Sequence, residues 1–338
     1  MLPTRRIDLQ DFFGLIDGLE PGWLYHDQCW LTSVRDGFGI EVMALLTEDG
    51  RGRVIAATPF MRVRKGPFRV VGSPLRGMYT EFSGPLFAPG LDEEVQCDVL
   101  ISQHAFLRKE GASYLEWGWK DGAKNDCTVV LSALGYKYAP RQSLVVDIGL
   151  GADAVWGRFE GRARNMIRKA EKHGVVAQPV APGIMDVQDY YEMLTWTFRR
   201  QGIHPPHPFS FYQAIYRNLA PKGYLEFIEA KIGDRVVAGG MFLFFGTRMM
   251  YLSGTSNEEG ARFAANSLVQ WEAMKRAIDR GGLEYDMGGT GNARIDRFKE
   301  SFGGNPVTHH RWIYRTWPVK LAETAYCWAR NGWARLRG

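Results

Sequence analysis

"RFKESFGG", residues 297–304, sets two cations and an aromatic ring directly before a pair of glycines. Glycine lets backbone approach a ligand closely, and basic side chains beside it suit a phosphate or a developing oxyanion. Arg294 adds a third cation to the longer segment "GNARIDRFKESFGG". A turn at the surface between strand and helix is the plainer use of such a segment.

A second concentration of charge lies in "GRARNMIRKAEKHGV", residues 161–175, with five arginines and lysines and one acid. Ala163, Met166, Ile167 and Ala170 recur at i, i+3, i+4 and i+7, which predicts a helix burying that stripe. Arg164, Arg168 and Lys172, four apart, share another face, where like charges repel by a few tenths of a kcal/mol per pair. Gly174 supplies a stop, and "VVAQPV" reads as a strand. The face is either a solvated helix surface or a site for a polyanion. The three cations are candidates for contact with a phosphate-bearing substrate.

The chain around these segments is ordinary and globular in composition. Its 338 residues are 45% hydrophobic and 23% charged, a length that suits two domains. Cys29, Cys97, Cys127 and Cys327 are widely spaced, which points to a reducing compartment and away from structural zinc. No histidine pattern of a catalytic zinc site occurs, and neither a Gly-x-Ser-x-Gly elbow nor a Walker loop is present. No metal and no bound cofactor are expected. The first twenty residues lack the apolar core of a signal peptide, and no 18-residue apolar run occurs, so a cytoplasmic chain is expected. Residues 1–148 carry a net charge of −3 and residues 149–338 a net +8, so an anionic partner is drawn to the second half.

Strand and helix patterns alternate, and they repeat. "EVMALL" and "RVIAATPFMRV" flank a glycine turn, as do "YLEFIEAKI" and "RVVAGGMFLFF". Arg53 to Ala56 and Arg235 to Ala238 share Arg-Val-x-Ala. "ISQHAFLRKEGASYLEWG" and "QWEAMKRAIDRGGLEYDMGG" are each a helix, a glycine stop and a short apolar strand. The expected fold class is α+β, a tandem duplication with a mixed sheet and flanking helices in each copy. Expected boundaries are 1–148, 149–316 and a C-terminal amphipathic helix over 317–338. Between "RMMYLSGTS" and the helix "SLVQWEAMKRAIDR", the segment "NEEGARFAAN" reads as a polar loop, with Asn266 or Ser267 as the cap.

"RNMIRKAEKHGV", "YLSGTSNEEG", "SLVQWEAMKRAIDRGGLEYDMGG" and "RFKESFGG" occur in the order and spacing of the FemAB family, which the chain resembles over residues 155–315. The resemblance implies two tandem domains of the GNAT acetyltransferase fold. It implies transfer of an amino acid from aminoacyl-tRNA to an amine on a peptidoglycan precursor. It places Phe298 and Lys299 in the active site, the lysine beside a substrate phosphate or the reacting carbonyl, and Tyr251 in the acceptor cleft. Arg297 joins them as a binding candidate.

The family's pattern is not followed throughout. The arginine that the family places four residues before a cleft tyrosine is absent, since Pro208 precedes Tyr212 at that spacing. His207, or His204 beside it, is the candidate substitute donor. The family's first-domain carboxylate falls near Glu116 or Asp121. The coiled-coil arm of some members is missing, because no heptad run occurs.

Acyl transfer to an amine needs a neutral amine, an activated ester or thioester, and stabilisation of the tetrahedral oxyanion. Proximity supplies roughly 7–11 kcal/mol of the barrier and one oxyanion donor about 3–4 kcal/mol, so an activated ester asks little more. The expected activity is therefore an acyl- or aminoacyltransferase on a cell-envelope amine, with aminoacyl-tRNA the favoured donor. "NEEGARFAAN" holds one glycine and lacks the loop by which GNAT enzymes seat the pyrophosphate of acyl-CoA, which disfavours that donor. An acyl-CoA-dependent N-acetyltransferase and a non-catalytic tandem-GNAT binding module are the alternatives. A nucleic-acid-binding protein fits less well, since no RNA-binding motif accompanies the charge.

The tail, "TWPVKLAETAYCWARNGWARLRG", spaces Trp317, Leu321, Ala325 and Trp328 as one helical face, with Trp333 and Leu336 beyond. Lys320, Arg330, Arg335 and Arg337 meet one acid, Glu323. Tryptophan with arginine suits the membrane–water interface, so peripheral association at the inner membrane face is one expectation. Packing on the second domain is the other.

Overall fold

The computed structural model describes every residue except Pro21, 121–124, Pro182, Gln201 and 336–338, and the side chains of 125–126, 184–186 and 329–335 also lie outside the description. In chain order the first half forms β1 (Thr4–Ile7), α1 (Leu9–Leu15), α2 (Gln28–Phe38), β2 (Glu41–Glu48), β3 (Val54–Lys65), β4 (Phe68–Ser73), β5 (Leu86–Phe87), α3 (Glu93–Lys109), β6 (Ala112–Trp119), α4 (Asn125–Ala133), β7 (Lys137–Tyr138) and β8 (Arg141–Asp147). The second half forms α5 (Ala152–Arg158), α6 (Gly161–Lys172), β9 (Val175–Val180), α7 (Ile184–Arg199), α8 (Phe209–Leu219), β10 (Leu225–Ile232), β11 (Arg235–Phe245), β12 (Arg248–Ser256), α9 (Glu258–Arg262), α10 (Ala265–Asp279), β13 (Glu284–Gly289), α11 (Ala293–Glu300), β14 (Asn305–Arg315) and α12 (Trp317–Arg335).

The repeat read from the sequence is a repeat of topology. β2, β3 and β4 are antiparallel neighbours, α3 crosses over, and β6 returns parallel to β4. β10, β11 and β12 are likewise antiparallel, α9 and α10 cross over, and β13 returns parallel to β12. A parallel pair needs such a crossover, which is why each glycine-stopped helix precedes its short strand.

Two compact units result, one of residues 1–28, 40–140 and 309–338, the other of 29–39 and 141–308. The division falls one strand before the expected seam at 148, because β8 pairs antiparallel with β13 and buries Leu144 and Val146 in the second unit's core. β14 in turn pairs antiparallel with β6 and places Trp312 in the first unit's core. Each half of the sequence thus gives its last strand to the other half's sheet. α2 also belongs to the second unit. Ser210 donates to the Gly37 carbonyl at 2.6 Å, and a Cβ at Gly37 would stand 2.6 Å from the Phe211 backbone.

The 161–175 stretch folds as its periodicity predicts. Ala163, Ile167 and Ala170 of α6 are buried in the second unit's core, and Gly174 ends the segment at φ +73°. Two local expectations fail. "NEEGARFAAN" is not a plain loop: its first residues form α9, capped by the Asn257 side chain, which accepts from the Gly260 amide at 2.9 Å. α10 then starts at Ala265, behind a left-handed Ala264 at φ +61°, so neither Asn266 nor Ser267 caps it. Asn266 instead donates to the Ser256 hydroxyl at 3.3 Å.

Candidate active site

β12 and β13 pair from Arg248↔Glu284 to Met250↔Asp286, and among the described residues their ladder stops there. β12 continues to Ser256 against β11, while Met287 and Gly288 step out of register before Gly289 pairs with Ser143 of β8. Two parallel strands therefore part at their carboxyl ends. Backbone groups along a parting need new partners, and in α/β sheets such places bind ligands.

Tyr251 is the first residue of β12 beyond the last pair. The β11 register jumps from Phe242↔Tyr251 to Met241↔Ser253, so Leu252 forms a bulge that re-aims its neighbours. The Tyr251 ring tilts against Phe242 at 5.5 Å and lies across Gly254, where a Cβ would strike its hydroxyl. Burial pushes the Tyr251 hydroxyl up to about 12, so it stays protonated at neutral pH.

Lys299 stands on the β13 side of the parting. α11 is set by the Asn292 side chain, which accepts from the amides of Arg294 at 3.1 Å and Ile295 at 3.3 Å. The helix carries Lys299 inward until it is only 6% exposed, and its ammonium donates to the Gly289 carbonyl at 2.7 Å. The lysine does not face a loop and solvent; it is a packed residue on a helix. Phe298 is half-buried, edge-on to Phe302 at 5.2 Å, and packs with Tyr251 on the same core. Tyr251 and Phe298 thus pack on one core of the second unit, and Lys299 follows Phe298 on α11.

The other candidates have local employment. Arg297 is exposed, with its Nε donating to the Ala293 carbonyl at 3.1 Å on its own helix. Arg164 turns back on α5, whose terminal carbonyls at Trp156, Gly157 and Phe159 accept from its guanidinium. It serves as a helix C-cap, a use that the four-residue spacing does not reveal. Arg168 is exposed over the Trp156 ring at 5.7 Å, and Lys172 is exposed. His207 packs against Phe38 at 5.5 Å and Phe211 at 5.7 Å, and burial lowers its pKa to about 4, so it is neutral there. His204 is exposed.

In the first unit, Glu116 is 2% exposed, ion-paired to Arg311, and accepts from the Tyr114 hydroxyl at 2.9 Å. Burial raises its carboxyl above the ordinary range despite Arg311. Asp121 lies outside the described residues.

The sequence reading missed a buried pair beside the parting. Arg248, 2% exposed, opens β12 and ion-pairs with Asp286 of β13, 1% exposed, with Glu284 at 3.3 Å from the same guanidinium. The available signal was charge inside apolar strands, in "TRMMYL" and "LEYDMGG", since such groups are rarely buried unless paired.

Residues 157–300, which include Tyr251, Phe298 and Lys299, match the acetyltransferase (GNAT) domain family. A lipid II:glycine glycyltransferase of Staphylococcus haemolyticus (strain JCSC1435) is 23% identical over 354 residues, covering 82% of this chain and 80% of the relative. Among solved structures, that of FemX aligns with a TM-score of 0.70 at 18% identity, covering 93% of this chain and 98% of FemX. A tandem GNAT protein from the clavulanic acid biosynthesis pathway aligns with a TM-score of 0.61 at 11% identity, covering 93% and 98%. No helix among the described residues is long and apolar enough to cross a membrane. The four sequence motifs, the duplicated topology and these likenesses agree: the chain is an acyltransferase of tandem GNAT fold that is similar to the FemAB-like proteins.

Proposed function

We propose that this acyltransferase moves an aminoacyl group from aminoacyl-tRNA to an amine on a phosphate-bearing precursor of the cell envelope, such as a peptidoglycan peptide. The observation that carries the reading is the parting of β12 and β13, with Tyr251 on one side and the Lys299 ammonium on the other. The name of the S. haemolyticus relative supports a lipid-linked peptidoglycan acceptor.

The amine nitrogen attacks the ester carbonyl carbon, the C–N bond forms, the C–O bond breaks, and the amine proton ends on the released hydroxyl. Negative charge gathers on the carbonyl oxygen between these events. The charge of Lys299 and the protonated Tyr251 hydroxyl stabilise it where water is excluded, and one such interaction is worth about 3–4 kcal/mol. Phe298 fixes the end of α11 against the core. No bound cofactor enters this scheme; the donor is a co-substrate.

An acyl-CoA donor is the second reading, favoured by the acetyltransferase family match over 157–300. Mass spectrometry of products separates the two: the chain is offered glycyl-tRNA or acetyl-CoA with lipid II or its soluble nucleotide-linked precursor. A mass gain of one amino acid on the peptide, dependent on charged tRNA, is expected. Acetyl gain alone moves the assignment to the second reading, and no gain with any pair removes both.

A further inference from the structure

The parting of β12 and β13 needs a device to hold its β13 lip, because the lip is irregular. Between Asp286 and Gly289 the ladder with β8 breaks, and Gly288 takes φ +78°, a conformation of little cost only to glycine. The Asp286 carboxylate spans that break. One oxygen accepts from the Gly288 amide at 2.8 Å, and the other meets the Arg248 guanidinium. One residue further on, the Gly289 carbonyl accepts from the Lys299 ammonium at 2.7 Å. Arg248, Asp286, Gly288, Gly289 and Lys299 form one run of polar contacts, from the closed end of the β12–β13 pair to its open end.

Two nearly fully buried charges are an expensive way to join two strands, and apolar residues of the same volume serve stability as well or better. A carboxylate here does what an apolar side chain cannot: it accepts from an amide that has left the ladder. We infer that Asp286, oriented by Arg248, is a positioning residue that sets the Gly288–Gly289 turn and through it the place of the Lys299 ammonium. The inference rests on the proposed role of Lys299.

A double-mutant cycle tests it with the full chain and the substrates that give turnover. Arg248→Met/Asp286→Leu removes both charges together and keeps the volume. In the Lys299 enzyme this variant is expected to lose about tenfold or more in kcat with KM within about twofold, since the contacts set a reacting group and not the substrate's grip. In a Lys299→Met background the same change is expected to cost less than about twofold, because the group being positioned is gone. Equal losses in the two backgrounds, or no loss in the first, overturn the inference.

Asp286→Asn is the second variant, and it decides the matter should the apolar pair fail to fold. It keeps an acceptor for Gly288 and leaves Glu284 near Arg248, so kcat is expected within about threefold of the parent. A tenfold loss in folded Asp286→Asn overturns the inference as well. Full turnover in Lys299→Met alone would instead remove the proposed role of the lysine. An inactive Lys299→Met with an additive cycle removes only the positioning.

Discussion

Tyr251 lies across Gly254, so that a Cβ on the glycine would collide with the tyrosine hydroxyl. The obstructed atom is the end of a side chain, not backbone, so the ring can swing away and the strand can survive. Gly254→Ala is therefore expected to keep the melting temperature within a few degrees while lowering kcat/KM about tenfold, as a misplaced contact does. Melting curves and steady-state rates on the same preparation check this; unchanged rates would take Tyr251 out of the site.

Lys299→Met is expected to lower turnover roughly a hundredfold, the effect of removing one oxyanion stabiliser. Stability is expected to fall too. The Gly289 carbonyl loses its donor, at about 1–3 kcal/mol, or a few degrees in Tm. A lysine read as loop-facing predicts no change in Tm, so calorimetry distinguishes the two.

The basic face of α6 divides by function. Arg164→Ala is expected to destabilise the second unit by about 1 kcal/mol, because three carbonyls of α5 lose their donor. Arg168→Ala/Lys172→Ala is expected to leave Tm unchanged and to flatten the salt dependence of binding to a polyanionic substrate. Binding isotherms across ionic strength with charged tRNA measure it, and an unaltered slope assigns the pair to solvent.

Acid should weaken the fold through its histidines. His26, 2% exposed, accepts from the Trp23 amide at Nδ1, which leaves Nε2 to donate to the Gly84 carbonyl, and burial lowers its pKa to about 4. The unfolded chain takes up this proton near 6.5 and the folded chain only near 4, so stability is full above 6.5 and lost as pH falls toward 4. His26 alone accounts for roughly 2–4 kcal/mol of that loss. Urea midpoints from pH 7 to pH 4 are expected to fall less steeply in His26→Gln; parallel profiles contradict the assignment.

α12 presents Trp317, Leu321, Tyr326 and Trp328 at 59–76% exposure, while Val319 is buried. Packing does not cover that face among the described residues; Leu336 and Arg337 lie outside them, as do the side chains of Arg330, Trp333 and Arg335. Sedimentation with anionic vesicles is expected to retain the full chain and release one ending at Trp317. Equal recovery of both in the supernatant removes the bilayer surface as a partner.

Periodicity made α6, the hairpins and the duplicated topology legible, because each buries one face and the apolar spacing records which. Motif order singled out Tyr251, Phe298 and Lys299, of which Tyr251 and Phe298 pack on one core. What stayed hidden is what spacing does not encode. Arg164 and Arg168 look alike on a helical wheel, and only the end of α5 tells them apart. Ala264 in a left-handed turn has no polar side-chain atom to announce a cap. Asp286 and Arg248 stand 38 residues apart, and their pairing follows from strand order. The exchange of β8 and β14 is equally silent, since a strand's own residues say that it pairs and not with which neighbour.

That exchange orders events during synthesis. β6 is made by residue 119, but its antiparallel neighbour is residues 310–315. While the ribosome makes the nearly two hundred residues between them, the β6 edge of the first sheet stays open, a template for any stray strand. The second unit has β8 in hand before its other strands are made, and β13 fills the place between β8 and β12 when it arrives. The half of the molecule that is translated first thus waits for a strand made after nearly all of the second half.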